Sequence, residues 1–425
     1  MSADVAARIR ESPAVVVHDS GVENINRVVR TRRFGLVIDR RRKPRRRSAL
    51  FSAPTFMPQP YFEHDMLRGL NAAGASFVQG IHYADDAGLI LQYAEGQTPT
   101  VRQWAGDAEL RGEYSRRFVD AMGELAAVSD AATPGVVRPE ERGFWPARLE
   151  STAQYGRLMR DRTVLTWSRV LRGWTTEILG ELGETGDVAA ELAGFELTGN
   201  RPLMLLHNDL HPQNTVREPF RIIDWTNGSV GDPLWAASMI RRQFPTEAER
   251  DRLMAGLRAA LPAEMFHGFE RDWRQYEVLD RQRTRTVAAG LISEFAADAL
   301  AAASRADGPQ ARRAAVRPYA ERIHSWSRRF TGHPADRTAE ETTDLVLEHI
   351  ERQLDAPAVR PRRGAPRSRS PVGPVVVTGP PRATRTGQRR PIRGRVRRYR
   401  ATPPLLRGPG TWIWASSARG SRPRG

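Results

Sequence analysis

The sequence contains no cysteine and a single lysine, Lys43, among its 425 residues. Without cysteine there is no disulfide framework, no thiolate metal site and no cysteine nucleophile. With one lysine, 65 of the 66 basic side chains are arginine. Together with abundant Ala, Gly and Pro this bias has the look of GC-rich coding sequence, so arginine abundance says little about function. Long apolar runs are missing too: none approaches the roughly 18 residues that suggest a membrane span. The opening MSADVAARIRESPAVVVHDSG lacks a basic start followed by an apolar core and a cleavage site. No secretion signal and no membrane partner are therefore expected, and the expected location is cytoplasmic. Acidic residues are absent from 356–425, which holds 18 arginines. That absence localises the charge. The formal +17 of the chain, which in bulk suggests a nucleic-acid or membrane-surface partner, belongs to this tail, because residues 1–355 carry 48 basic and 49 acidic side chains.

Hydrophobic patterning divides the remainder. Residues 14–38 supply β-branched and aromatic residues punctuated by glycine, which predicts hairpins. The basic run Arg40 to Arg47 and the Pro-rich stretch to Pro60 read as loop. In YFEHDMLRGLNAAG, Phe62, Met66 or Leu67, and Leu70 fall at helical spacing before Gly74. FVQGIHYADDAGLILQYAEG reads as strand, a turn at Asp85–Gly88, and strand. Beyond Gly96 the texture is helical: Phe118, Met122, Leu125 and Val128 repeat at three and four residues, as do Trp167, Leu171, Trp174, Ile178 and Leu182, and then Val287, Leu291, Phe295 and Ala299. These stripes read as core. From Ala356 the composition turns to Pro, Gly, Arg and Ser without period, and disorder is expected. The tail has only Tyr399, Trp412 and Trp414 for stacking, so any nucleic-acid binding through it would be non-specific and salt-dependent.

One non-helical island interrupts the helices, LMLLHNDLHPQNTVREPFRIIDWTNGSVGDP. An apolar strand, Leu203 to Leu206, delivers His207, Asn208 and Asp209, with Asn214 five residues after Asp209. A second, Phe220 to Ile223, delivers Asp224 after a tight turn near Glu218-Pro219. Two carboxylates and an amide at the ends of short strands suit phosphoryl transfer. One carboxylate can accept the proton of an attacking hydroxyl, while oxygen ligands hold Mg²⁺ against phosphates. His211 lies inside the loop and is read as a surface histidine without a chemical role.

His207-x-Asp209-x4-Asn214, Ile223-Asp224-Trp225 and Gly231-Asp232-Pro233, in that order, resemble the signature of the aminoglycoside phosphotransferase and choline kinase group. These are small-molecule kinases with a protein-kinase-like fold. The resemblance implies Asp209 as catalytic base, Asn214 and Asp224 as Mg²⁺ ligands, and His207 and Asp232 as structural residues of the loop. It extends more weakly upstream. SGVENINRVVRT is similar to the family's nucleotide-covering hairpin, with Gly21 and Asn24 at the turn. Glu63 resembles the helix glutamate that pairs with the ATP-phosphate lysine. LILQYAEG, with Gln92 and Tyr93, resembles the hinge that receives adenine. The implied architecture is α+β and two-lobed, with a small β-rich nucleotide-binding lobe (1–95), a larger helical lobe carrying the catalytic loop and acceptor site (96–355), and a disordered basic tail (356–425).

The pattern is broken in two places. Where the family has its lysine, at the end of RFGLVI, this chain has Ile38-Asp39-Arg40. A carboxylate there would repel phosphate, and arginine and lysine are not equivalent at such a position. Ala236 stands where the family usually has aspartate. Three readings remain open. The chain is an ATP- and Mg²⁺-dependent kinase of a small-molecule hydroxyl, with Arg40 or Lys43 as the phosphate-binding cation; or a catalytically impaired pseudokinase or nucleotide-binding scaffold; or RRRKPRRRSALFSAP is a local change of reading frame.

Overall fold

The computed structural model describes residues 1–20, 24–42, 58–85, 88–171, 173–184, 186–330, 334 and 336–355. Gly21, Lys43 and the tail from Ala356 lie outside these residues, and with them the expectations placed on that turn glycine, on Lys43 and on the tail.

Strands β1 (Val15–Ser20), β2 (Asn24–Thr31), β3 (Gly35–Arg42), β4 (Ile81–Asp85) and β5 (Gly88–Gln92) form one antiparallel sheet in the order β1-β2-β3-β5-β4. Side chains alternate across a strand, and β3 uses this to separate two functions. Val37 and Asp39 face the helix α1 (Ala3–Glu11), where Val37 joins Ala6, Ile9, Val29 and Ile90 in a small apolar cluster. Ile38 and Arg40 face the other way, Ile38 onto the main core and Arg40 toward Glu63. Arg40 to Arg42 therefore belong to a strand, paired with Asn26 to Asn24 of β2, and not to the loop that the run of charge suggested. Charge patterning fails here because Arg40 and Arg41 meet carboxylates in the fold. Gly88 (φ +141°) permits the close approach of β5 to this segment, since a Cβ there would lie 2.2 Å from the Arg40 carbonyl oxygen.

Helix α1 has no counterpart in the sequence expectations, because only two of its residues, Ala6 and Ile9, are buried. Arginines hold it instead. Arg10 makes a two-point ion pair with Asp85 at 2.7 and 2.8 Å. Arg27 donates to the carbonyls of Arg10 and Ser12, and Arg41 also donates to that of Arg10. Cations are thus placed at a helix C-terminus, where the macrodipole favours them. Beneath them Asp39 is wholly buried, 2.8 Å from Arg41, 3.3 Å from Arg27 and 3.9 Å from Arg10.

Helix α2 (Glu63–Ala72) buries Met66, Leu67 and Leu70 in the main core. After β5 the chain enters a helical region: α3 (Val101–Gly106), α4 (Ala108–Ala132), α5 (Thr152–Val170), α6 (Thr175–Glu181) and α7 (Val188–Glu191) precede the island. The apolar stripe from Trp167 to Leu182 is split between α5 and α6, where Gly173 takes a left-handed φ of +114°. Within the island, β6 (Met204–Leu206) pairs with β9 (Ser229–Gly231), and β7 (Thr215–Val216) with β8 (Arg221–Ile222) around the cis Glu218-Pro219 bond. Helices α8 (Pro233–Arg241), α9 (Glu247–Ala260), α10 (Phe269–Ala303), α11 (Pro309–Ser327) and α12 (Ala339–Asp355) follow. At 35 residues α10 is long and apolar enough to cross a membrane; here α5, α6, α7, α8 and α11 pack on it.

Replacing Asp39 with asparagine leaves three arginines facing a buried site without their anion, and breaking a buried ion pair costs about 3–5 kcal/mol. Urea unfolding of Asp39→Asn is expected to show a loss of that order, with faster proteolysis between α1 and β1.

Candidate active site

The island and the sheet meet along a seam where most of the motif residues converge. His207 sits at the end of β6, buried, with Nε2 2.9 Å from the Ile223 carbonyl. A carbonyl only accepts, so Nε2 carries the proton and Nδ1 accepts from the Asp209 N–H at 3.3 Å. Burial, ahead of the pull of Asp209, lowers the pKa of His207 and keeps the ring neutral. The imidazole thereby ties the residue before Asp224 to Asp209. Asn208 adopts a left-handed φ of 59° and donates through Nδ2 to the Asn227 carbonyl and Ser229 Oγ, both at 2.8 Å. Asn214 donates through Nδ2 to the Asp209 carbonyl (2.8 Å) and carboxylate (3.3 Å), which turns its amide oxygen away from Asp209.

Asp224 also has a left-handed φ, 63°, a conformation that is rare outside glycine and needs support from its surroundings. The support comes from side chains. Arg40 donates from Nη2 to Asp224 Oδ1, and the Thr226 hydroxyl donates to the same oxygen at 2.8 Å. Arg40 also places Nε 2.9 Å from Glu63 Oε2 and Nη2 3.0 Å from Thr226 Oγ1. Glu63 in turn accepts the N–H of Trp225 at 3.2 Å. The guanidinium therefore closes the seam, joining β3 to α2 and to the loop after β8. Partial burial pushes the Asp224 carboxyl up, but Arg40, Thr226 and His207 together bring it below the usual carboxylate range. Burial dominates at Glu63 and raises its pKa despite Arg40.

The family model of phosphotransferase enzymes matches residues 15–279. The chain belongs to the phosphotransferase enzyme family. No curated protein matches this phosphotransferase-family sequence. Among solved structures it is similar to a choline/ethanolamine kinase family protein from Mesorhizobium loti (16% identity, 82% of this chain and 98% of that one, TM-score 0.43). It is similar also to the streptomycin–ATP–APH(2″)-IIa ternary complex (13%, 69% and 91%, 0.42) and to choline kinase from Cryptosporidium parvum (12%, 83% and 96%, 0.43).

Other residues of this phosphotransferase-family chain stand away from the seam or in unexpected settings. The Gln92 N–H is taken by the Gly80 carbonyl and its carbonyl accepts from Gln79, so Tyr93 is the first residue beyond the ladder. His211 is not a surface residue: it is buried, with Nδ1 3.0 Å from Gln213 Oε1 and Nε2 3.9 Å from Asp209. The turn that puts Pro212 to Asn214 into a 3₁₀ helix draws it inward. Nearby, Arg242 pairs with Asp280, and Arg283 donates to Met239 Sδ at 3.0 Å. Burial, then Arg242, lowers the Arg283 pKa to about 10. Ala236, in the place of the usual aspartate, lines a small apolar void with His207, Leu210 and Met239. Thr226, Arg201, Asp272 and Tyr276 were not legible as site residues, since none belongs to a spaced motif.

Asp232 is wholly buried. It caps α8 through the Leu234 N–H (2.9 Å) and accepts from Arg201 (Nη2, 2.5 Å) and Tyr276 (2.7 Å). Arg201 reaches Asp272 at 2.7 Å, which also accepts the N–H groups of Thr198 and Gly199. At Asp272 burial works to raise the pKa, yet those N–H groups and Arg201 bring it below the usual value. A depressed carboxylate contributes stability above its unfolded pKa, about 3.9, and loses it as pH falls through the lower folded value. Asp272→Asn is accordingly expected to lose about 3 kcal/mol in urea unfolding at pH 7, with the gap to wild type narrowing below about pH 4.

Proposed function

We propose that this protein transfers the γ-phosphoryl group of ATP to a hydroxyl of a small molecule. The observation that carries the proposal is the convergence of Arg40, Glu63 and Asp224 at one seam, with Asp209 held to Asn214 beside it. The charge types match what phosphoryl transfer needs: a cation for the phosphates, a carboxylate to orient that cation, and a separate carboxylate for the attacking hydroxyl. Asp209 keeps about a quarter of its side chain exposed (28%) and is the residue proposed to accept the hydroxyl proton. Arg40, anchored by Glu63, is proposed to bind the nucleotide phosphates. The segment from Tyr93 is proposed to receive adenine.

The residues fit a magnesium ion supplied with the nucleotide better than a resident one. Among the described residues no group of three or more His, Asp or Glu assembles as a cage. Asp224 and the Asn214 amide oxygen offer two hard donors, and Mg²⁺ is commonly held by one or two carboxylates together with substrate phosphates. Bound there, the ion would neutralise phosphate charge. The acceptor class stays within those of the resemblance: aminoglycoside-like compounds, amino alcohols or sugars.

The pseudokinase reading rested on the missing lysine. The Arg40–Glu63 pair favours the active reading, because β3 delivers a fixed cation to the glutamate of α2. Incubation with Mg²⁺-ATP and an acceptor panel is expected to yield a phosphorylated product. In Asp209→Asn the rate should fall by about 10²–10⁴ while the thermal shift produced by Mg²⁺-ATP persists. Full transfer activity in that variant would overturn the assignment of Asp209.

A further inference from the structure

Asp224 Oδ1 accepts from both Arg40 Nη2 and Thr226 Oγ1, and two donors saturate the lone pairs of a carboxylate oxygen. That oxygen is therefore already occupied by a charge of the chain itself, and a cation on Oδ2 of the same carboxylate would lie beside the Arg40 guanidinium. Nη1 donates to Asn26 (3.5 Å) and Nη2 to Asp224, while Nε lies 2.9 Å from Glu63 Oε2 as an ion pair without hydrogen-bond alignment. Thr226 is the hub of this arrangement. Its hydroxyl donates to Asp224 and receives from Arg40 at 3.0 Å and from Asn24 Nδ2 at 3.4 Å, with Glu63 Oε2 also 3.4 Å away. Arginine's fork geometry allows simultaneous contact with two carboxylates on different elements.

Resting on the kinase reading above, we propose that Arg40 is an exchangeable counter-ion of Asp224. It and a divalent cation compete for that carboxylate, so the nucleotide-free protein holds the cation weakly and holds it tightly only together with a nucleotide. Arg40, Glu63 and Asp224 together carry one net negative charge. A dication arriving alone would reverse that sign and leave Arg40 beside a like charge. A dication arriving with phosphates brings an anion to which Arg40 can turn while its Nε stays on Glu63. Thr226 acts as a positioning residue, holding the guanidinium on Asp224 and linking it, through Asn24, to β2.

The test uses the full chain and Mn²⁺ alone, followed by electron paramagnetic resonance or calorimetry. Wild type is expected to bind Mn²⁺ weakly without nucleotide, and ATP should tighten that binding. Arg40→Gln should bind Mn²⁺ without nucleotide at least about tenfold more tightly than wild type, since it removes a like charge a few ångströms away. The gain should vanish in Arg40→Gln/Asp224→Asn. Thr226→Val, which keeps Arg40 but removes the hydroxyl, should show a smaller gain, and Thr226→Ser none; this pair carries the test if Arg40→Gln does not fold. Equal Mn²⁺ affinity in wild type, Arg40→Gln and Thr226→Val overturns the exchange. So does a gain that survives Asp224→Asn, or no binding in any variant. The kinase reading is judged separately, by whether wild type forms product with Mg²⁺-ATP, and does not fall with the exchange.

Discussion

The ion pairs of Arg40 bridge three elements of this molecule that are distant in the chain: β3, α2 and the loop after β8. A guanidinium between Glu63 and Asp224 closes the seam, and it also supports an aspartate whose backbone lies in the left-handed region. With Arg40 buried and Asp224 partly exposed, such pairs add little net stability, because desolvation of the guanidinium offsets much of the attraction. Their effect is on specificity of arrangement. With the cation in place Glu63 and Asp224 are bridged; without it, the two carboxylates would lie near each other with no positive charge between them. Arg40 thus ties β3, α2 and the loop after β8 together, alongside the bonds from the Trp225 N–H to Glu63 and from Asn24 to Thr226.

The same logic recurs at other buried carboxylates, always with arginine. Asp39 sits beneath Arg10, Arg27 and Arg41, and Asp232 and Asp272 share Arg201. A chain with almost no lysine has built its interior polar contacts from forked donors that reach two or three acceptors at once. Each network also satisfies backbone groups: the C-terminus of α1, the start of α8, and the turn at Thr198–Gly199. Arginine is here as much a cap for the ends of secondary structure as a source of charge.

Much of this was legible in the sequence because it depends on period and spacing. The hairpins of residues 14–38, the helix starting near Glu63 and the short strands that deliver Asp209 and Asp224 are properties of local pattern. What escaped depends on partners distant in the chain. Arg40 read as part of a basic loop because no local feature tells that Glu63 and Asp224 await it. His211 read as a surface residue because a polar ring in a polar stretch gives no hint of the inward 3₁₀ turn. Helix α1 buries two residues and is held by side chains from three strands, so it leaves almost no periodic signal. Thr226 is an ordinary residue made central by what surrounds it.

The alternation of β3 carries a consequence for how this protein can vary. Asp39 and Arg40 are neighbours whose side chains point to opposite faces, one into an arginine cage under α1 and one into the seam. A one-residue slip of β3 would turn every side chain of the strand to the other face, setting Asp39 beside Glu63 in one direction and Arg40 beside Arg10 and Arg27 in the other. A one-residue insertion or deletion within β3 itself would impose such a slip. The register of β3 thus fixes the settings of Asp39 and Arg40 together.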